Sequence, residues 1–593
     1  MFRKFVERML VSRWLGLIAA LVGVLLASRS LNIGWFIDDY YQRWILVQSP
    51  IYSELRPGQG DMFCFFDGDP TRNQRMKEIG ILPWWSSPGL RMTFWKPLTT
   101  ITHIVDYKFW PDRPDIMHAH NLFWFGLLLL SASLLYRQIS GYTVAAGLAI
   151  VLFSIDYSHA TPAAWLCNRN AVLAAFFGIL AIYFHHQWRT YRSRPGSILA
   201  PILLMMSLLS AEVGIGAMAY ILAYSLVLDR STWKSRLAAV LPYIIVVVIW
   251  RIMWSWQDYG VSDDVIAIYL DPMAHPFRFI EMIFLRAPIL LLGQWAFPPA
   301  EVHLLLSPYY VLLLCLIGVA FLSILAVVLL PLLRRSDEAR FWALGMLLAT
   351  VPICSAMPMN RQLLFVGIGA MGLLGQYLAL ALSGELWQGK SLAGRLPQAV
   401  LIGLLVFIHL IFAPLGMLAV AYSPAGPRRI LDNMNVIPGM SAADCDRDLI
   451  IVNHPVPGCF FVTLTAWAVD GQPLPRSLRV LATASSALSV QRLDERSLIL
   501  CPKSGYFSTP LSGFLYNTEH PLKQGDTIEL SNVSITVKEL TEDGRPAKVL
   551  FRFHVPLEDP SLKWVYLEGG KFKEFHPPGI GETIEVPACG LPL

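Results

Sequence analysis

Apolar runs of about 15 to 25 residues recur between positions 14 and 421, each close to the length a helix needs to cross a hydrocarbon core. Spans are expected near 14–33, 116–136, 143–157, 170–186, 197–210, 211–228, 237–255, 308–333, 341–355, 362–382 and 398–421, with a re-entrant or interfacial stretch near 282–297. The shorter of these cross only where the bilayer is thinned or a helix is broken. The 593 residues are 55% hydrophobic and 15% charged, and the mean hydropathy is +0.50. A soluble globular chain is nearer a quarter charged. The expected fold class is a polytopic α-helical membrane protein of about eleven transmembrane helices with a C-terminal β-rich soluble domain.

Lys and Arg set the orientation. Arg3, Lys4, Arg8 and Arg13 precede the first run, and later clusters stand at 189–194, 230–236, 334–340 and 390–395. With an odd number of crossings, all of these fall on the N-terminal, cytoplasmic side. The loop 38–115, the His159 region, the segment 256–280 and the C-terminus fall on the other. The first run lacks a small-residue cleavage site and leads into charged sequence, so it is expected to stay as a span.

The composition changes after residue 421. Two domains are expected: 1–423, a transmembrane module with a large first outer loop, and 424–593, a β-rich domain on the outer side. Short strands are read at 477–483, 527–530, 534–539 and 549–553, with a hairpin turn at Glu542-Asp-Gly-Arg545. Cys445, Cys459, Cys501 and Cys589 lie here, four of the eight cysteines. In an oxidising compartment they are candidates for one or two disulfides, with pairing left open, and buried thiols are the alternative. Repeats, a phosphate-binding glycine loop, metal-spaced Cys/His pairs and any nucleic-acid signature are missing from the sequence. Oligomeric state is left open.

Two adjacent aspartates, Asp38 and Asp39, follow the first run within Trp35-Phe-Ile-Asp-Asp-Tyr-Tyr41, where the chain leaves the lipid. In the loop they open, Asp67-Gly-Asp-Pro-Thr-Arg-Asn73 spaces oxygen ligands loosely like a calcium loop, but a downstream Glu at the right spacing is missing. A solvated acidic turn is the better reading there. Phe94-Trp-Lys-Pro97 sets a cation beside aromatics, suited to a lipid phosphate or to snorkelling. Charges and polar groups in or at the edge of spans cost a few kcal/mol each unless paired or hydrated. His118, Asn121, His159, Arg169, Glu212, Arg251 and the Asn360-Arg361 pair all fall toward the outer face. Their convergence with the aspartates points to a water-accessible cavity.

The ordered motifs Phe36-Ile-Asp-Asp-Tyr40, Trp95-Lys-Pro-Leu98, Asp106-Tyr107, His118-Ala-His-Asn121, His159-Ala-Thr-Pro-Ala-Ala-Trp165-Leu-Cys-Asn-Arg169 and Leu209-Ser-Ala-Glu212 resemble the GT-C superfamily of membrane glycosyltransferases. The branch they most resemble holds protein O-mannosyltransferases with transmembrane and tetratricopeptide-repeat regions, and their bacterial relatives. The resemblance covers roughly residues 10 to 380. It implies sugar transfer from a polyprenyl-phosphate donor, by an enzyme of the EC 2.4 class. The chain departs from the family pattern where Lys96 replaces a common Arg, Thr161 an acidic residue and Ala211 a cation. Lys keeps the charge but loses bidentate phosphate geometry.

On this resemblance, Asp38 aligns with the catalytic base, and Asp39 with a supporting residue that orients the acceptor, binds a cation or raises the pKa of Asp38. Lys96, Arg251 and Arg361 are the candidates for the donor phosphate. His118, Asn121, His159, Arg169 and Glu212 are cavity or substrate residues, with an Arg169–Glu212 ion pair as the structural alternative. His118 and His159 are also candidates for a divalent cation, the one cofactor left open. The expected activity is inverting transfer to a protein, glycan or lipid acceptor at the outer face of a bacterial inner membrane. The weighed alternatives are a flippase or transporter of lipid-linked sugars and an assembly component presenting the β domain. A glycosidase would need two carboxylates across the sugar, about 5 to 10 Å apart.

Overall fold

The computed structural model describes residues 2–266, 268–388, 391–422, 445–454, 459–483, 486–509 and 512–588. Seven helices are long and apolar enough to cross a membrane: Leu15–Asn32, Pro114–Ser140, Leu166–Tyr191, Trp233–Trp256, Pro308–Arg335, Leu364–Ser383 and Arg395–Val420. Val144–Ser154 and Tyr157–Ala164 make an eighth if their 41° bend lies within one span. The apolar helices Arg194–Ser210 and Glu212–Val227 are shorter, and Asp337–Ile353 has 17 residues. Several of these helices start on a capping side chain, which occupies amide groups that have no partner within the helix. Thr143 and Ser336 accept from Ala146 N and Ala339 N in this way.

The basic clusters meet at one end of the bundle. Arg189 Nε pairs with Asp229 at 2.8 Å, Arg230 with Asp337, and Arg137 Nη2 donates to Leu10 O at 2.6 Å. Lys390, the start of the last cluster, lies outside the described residues. At the opposite end, Trp165 Nε1 donates to Phe36 O at 3.1 Å, Thr99 Oγ1 to Ser210 O at 2.8 Å, and Leu270 N to Ser355 O at 2.7 Å. The helix Pro276–Trp295 makes several of its contacts with this second end. Arg278 near its start pairs with Glu519, Arg286 Nη1 donates to Cys354 O at 3.0 Å, and Gln294 Nε2 donates to Asp156 at 2.8 Å.

Beyond this end stand three sheets. The first joins β1 (Cys64–Asp67), β2 (Arg91–Thr93) and β3 (Gly260–Val261) in that order. The C-terminal region adds β4 (Asp448–His454), β5 (Ser477–Thr483), β6 (Leu488–Arg492), β7 (Ser497–Pro502), β8 (Thr527–Leu530), β9 (Val533–Leu540), β10 (Pro546–Phe553), β11 (Leu562–Glu568), β12 (Lys571–Glu574) and β13 (Thr583–Val586). One antiparallel sheet runs β13-β6-β7-β10-β9-β8; the other, β12-β11-β4-β5, pairs β4 in parallel with both β5 and β11. A parallel pair needs a crossover. Cys459–Asp470 supplies it as a helix.

The crossover helix packs on the short helix Asp38–Leu46, which begins at the two aspartates. Phe461 meets the Tyr41 ring at 5.7 Å, Arg43 pairs with Asp470 at 2.5 Å, and Ser49 Oγ donates to Ala468 O at 3.0 Å. Trp44, Ile45, Phe63 and Phe66 from the first loop share one core with Leu449, Leu464, Trp467 and Val565. Trp84 and Trp85 enter a second core with Ile450, Leu500, Val549 and Phe551. The first loop and the C-terminal region are thus packed as one body beyond this second end. Residues 423–444, which contain the expected boundary at 423/424, lie outside the described residues. Cys445 and Cys501 are free thiols; Cys589 and the Cys459 side chain lie outside the described residues.

Candidate active site

The aspartates sit where a strained turn meets a helix start. Ile37, just before them, has φ 44° and ψ −108°, a conformation that costs a β-branched residue about 1–3 kcal/mol and persists only where its surroundings enforce it. Asp39 helps enforce it. Its Oδ2 accepts from Phe36 N at 2.9 Å and its Oδ1 from Cys167 N at 2.8 Å, and its side chain is buried. Those bonds occupy both oxygens of Asp39 and tie the aspartate helix to the first turn of Leu166–Tyr191.

Asp38 takes the other direction. Its Oδ2 accepts from the Cys167 thiol at 3.7 Å, and Gln42 Nε2 donates to the same sulfur at 3.1 Å. Burial pushes the Asp38 carboxyl above its ordinary value of 3.8, while Arg361, the thiol and Lys96 pull it back. Asp39 is pushed well above that value, first by burial, against the two amide hydrogen bonds. Like-charge repulsion acts on Asp39 from Asp38. The sequence reading had it acting on Asp38, where burial is the main cause.

Two of the three phosphate candidates reach this carboxylate. Lys96, the residue before helix Pro97–Phe109, holds its Nζ over the rings of Phe63 at 4.6 Å and Phe94 at 4.8 Å. Glu212 lies 3.8 Å from that Nζ, and its other oxygen has no hydrogen-bond partner among the described residues. Arg361 stands over the Trp165 ring at 5.1 Å and donates Nε to Met359 Sδ at 3.3 Å. Among the described residues it forms no ion pair. Arg251, the third candidate, is engaged elsewhere: it pairs with Asp271 at 3.0 Å and stacks on Trp254 at 4.1 Å.

The remaining residues are buried and engaged in contacts of their own. His118 Nε2 bonds Gly34 O at 2.8 Å, and Asn121 Nδ2 donates to Ala163 O at 2.7 Å. His159 is buried against Phe153 at 4.4 Å and Phe125 at 6.3 Å between ring centroids. Arg169 pairs with Asp106 at 2.6 Å, both fully buried. The alternative Arg169–Glu212 pair is therefore corrected: Glu212 lies with Lys96. In the acidic turn, Asp69 caps helix Pro70–Ile79 by accepting from Thr71 N and Arg72 N, and Asp67 pairs with Arg72 at 2.7 Å. Among the described residues no three His, Cys, Asp or Glu side chains are grouped to hold a metal ion.

Three residues beyond those singled out complete the arrangement. Cys167 links the two aspartates and was visible within Trp165-Leu-Cys-Asn-Arg169. Asp106 bonds His120 Nδ1 at 2.7 Å as well as Arg169, and both lay in quoted motifs. Tyr269 carried no sequence signal, being a lone tyrosine in the segment 256–280.

No family model and no curated protein matches the chain. Among solved structures it is similar to the Archaeoglobus fulgidus oligosaccharyltransferase in the apo form, at 14% identity and a TM-score of 0.39, over 79% of this chain and 65% of that one. The complex of that enzyme with Zn and sulfate gives 12% and 0.40, over 79% and 62%. Archaeal oligosaccharyltransferase AglB from the same organism, in complex with an inhibitory peptide and a dolichol-phosphate, gives 14% and 0.37, over 79% and 65%. The chain thus spans less than two thirds of the length of these structures. A likeness of this degree carries no conclusion about activity, and the chemistry of the site is carried by its own residues.

Proposed function

We propose that the chain is a membrane glycosyltransferase that moves a sugar from a polyprenyl-phosphate donor to an acceptor, with inversion, at the outer face of the membrane. The observation that carries this reading is that one half-buried carboxylate, Asp38, lies in the fields of Lys96 and of an Arg361 that forms no ion pair among the described residues. Asp38 takes the proton from the acceptor's hydroxyl or amine as that atom attacks the anomeric carbon. The bond from that carbon to the phosphate oxygen breaks, and its electron pair leaves with the phosphate. Lys96 and Arg361 meet the charge that develops there. In this reading the bent pair 144–164 and the shorter helices 194–210, 212–227 and 337–353 also cross, giving eleven crossings, with the basic end cytoplasmic and the aspartate end periplasmic.

The test is donor consumption by the purified chain over a panel of polyprenyl-phosphate sugars, compared with Asp38→Asn. The parent is expected to release polyprenyl phosphate, and the variant to lose at least about 100-fold in rate while keeping its fold. Equal turnover by the two removes Asp38 from the chemistry. Passage of lipid-linked sugar across vesicles without donor consumption makes the chain a transporter.

A further inference from the structure

The described residues 256–266 and 268–278 form a strap beside the site. Its β3 pairs with β2 through Met92–Val261 and Thr93–Gly260, Asn517 Nδ2 donates to Asp264 at 2.8 Å, and Tyr269 bridges Ala356 in antiparallel fashion. Leu270 N to Ser355 O and Met357 N to Ile268 O, both 2.7 Å, close that bridge. The strap therefore fixes Tyr269 between the two elements that present Lys96 and Arg361. Its ring meets the edge of Phe94 at 5.1 Å and 64°, and Phe94 is one of the rings beneath Lys96 Nζ.

The ring is held, but the hydroxyl has no hydrogen-bond partner among the described residues. It lies in the fields of Arg361, Asp38 and Glu212. Burial, ahead of those charges, raises its pKa above 10.0, so the phenol keeps its proton at neutral pH. A neutral donor in the field of a guanidinium that forms no ion pair among the described residues matches an anion with several acceptor oxygens.

We infer that Tyr269 donates its hydroxyl to the phosphate of the lipid-linked donor, beside Arg361, as a binding residue of the Asp38 site. This rests on reading that site as one for a polyprenyl-phosphate sugar. Tyr269→Phe keeps the ring and its contact with Phe94, so the fold is expected to survive. The test measures binding of sugar-free polyprenyl phosphate to the full chain in nanodiscs, for the parent, Tyr269→Phe and Arg361→Gln, alongside steady-state transfer. Tyr269→Phe is expected to weaken binding about 10-fold and to raise donor KM to match, with kcat little changed. Unchanged affinity, with a lower kcat and a displaced acid limb of the pH profile, would mean that the hydroxyl orients Asp38 and would overturn the inference. So would an equal loss of affinity for phosphatidylglycerol, which would make the group a general headgroup contact. If the parent binds no polyprenyl phosphate at all, the donor reading falls together with this one. If the parent binds it and Tyr269→Phe binds equally well, only the inference on Tyr269 falls.

Discussion

Asp38 and Asp39 are neighbours with opposite tasks, and the difference comes from what each carboxylate accepts. Asp39 is occupied by two backbone amides; Asp38 has a thiol and two cations in reach. Because burial raises the Asp38 pKa above 3.8, a reaction that needs its ionised form fails on acidification at a higher pH than an ordinary aspartate would give. Arg361 is the strongest influence in the other direction. Arg361→Gln is therefore expected to move the acid limb of kcat/KM to still higher pH, besides raising donor KM. A pH–rate series on the variant checks the sign: a limb that moves to lower pH, or stays put, separates Arg361 from Asp38.

At the scale of elements, the first loop is placed by its fit to the C-terminal strands. Helix Pro70–Ile79 ends on Gly80, at φ 93°, and a Cβ there would overlap the Leu478 carbonyl on β5. Arg479, also on β5, donates to the carbonyls of Lys77 and Glu78 at 2.9 and 2.8 Å, so that strand satisfies the helix end that Gly80 terminates. Gly80→Ala combines a left-handed backbone with this overlap, and about 2 kcal/mol or more of local stability is expected to be lost. Limited proteolysis of the loop should accelerate in the variant. An unchanged cleavage rate would mean that loop and strand are free to separate. The sequence suggested only a solvated acidic turn at 67–73, where Asp69 in fact caps a helix, whereas the strands 477–483 and 527–530 were legible as short strands between turns. The crossover helix was not, because a parallel pair is specified by partners far apart in sequence.

For the molecule as a whole, the apolar runs made a polytopic helical protein legible in the sequence, while seven helices of the described residues, or eight with the bent pair, are long and apolar enough to cross against the eleven expected. The polar residues at this end were legible as a group, because charge in an apolar segment stands out. Which of them touch was not legible: Arg169 chose Asp106 over Glu212 through tertiary packing alone. Nor was the dependence of the aspartate helix on the C-terminal region, since no short-range pattern links Tyr41 to a residue more than 400 positions away. That dependence has a consequence for catalysis. Phe461 lies against Tyr41 at 5.7 Å and Phe65 at 6.2 Å, while none of the site contacts described above involves the crossover helix. Removing the ring leaves a void beneath the helix that starts at Asp38, and such a core truncation costs about 3–5 kcal/mol. A shift of the base by about 1 Å is enough to lower a rate by roughly 100-fold. Phe461→Ala is therefore expected to depress kcat by about 10- to 100-fold, with polyprenyl-phosphate affinity near the parent's because Lys96 and Arg361 stand on other elements. Parallel measurements of kcat and donor binding decide it. If donor affinity falls while kcat holds, the C-terminal region supports the phosphate side of the site; if neither changes, it carries no part of the chemistry and the outer body is a passenger on the helices.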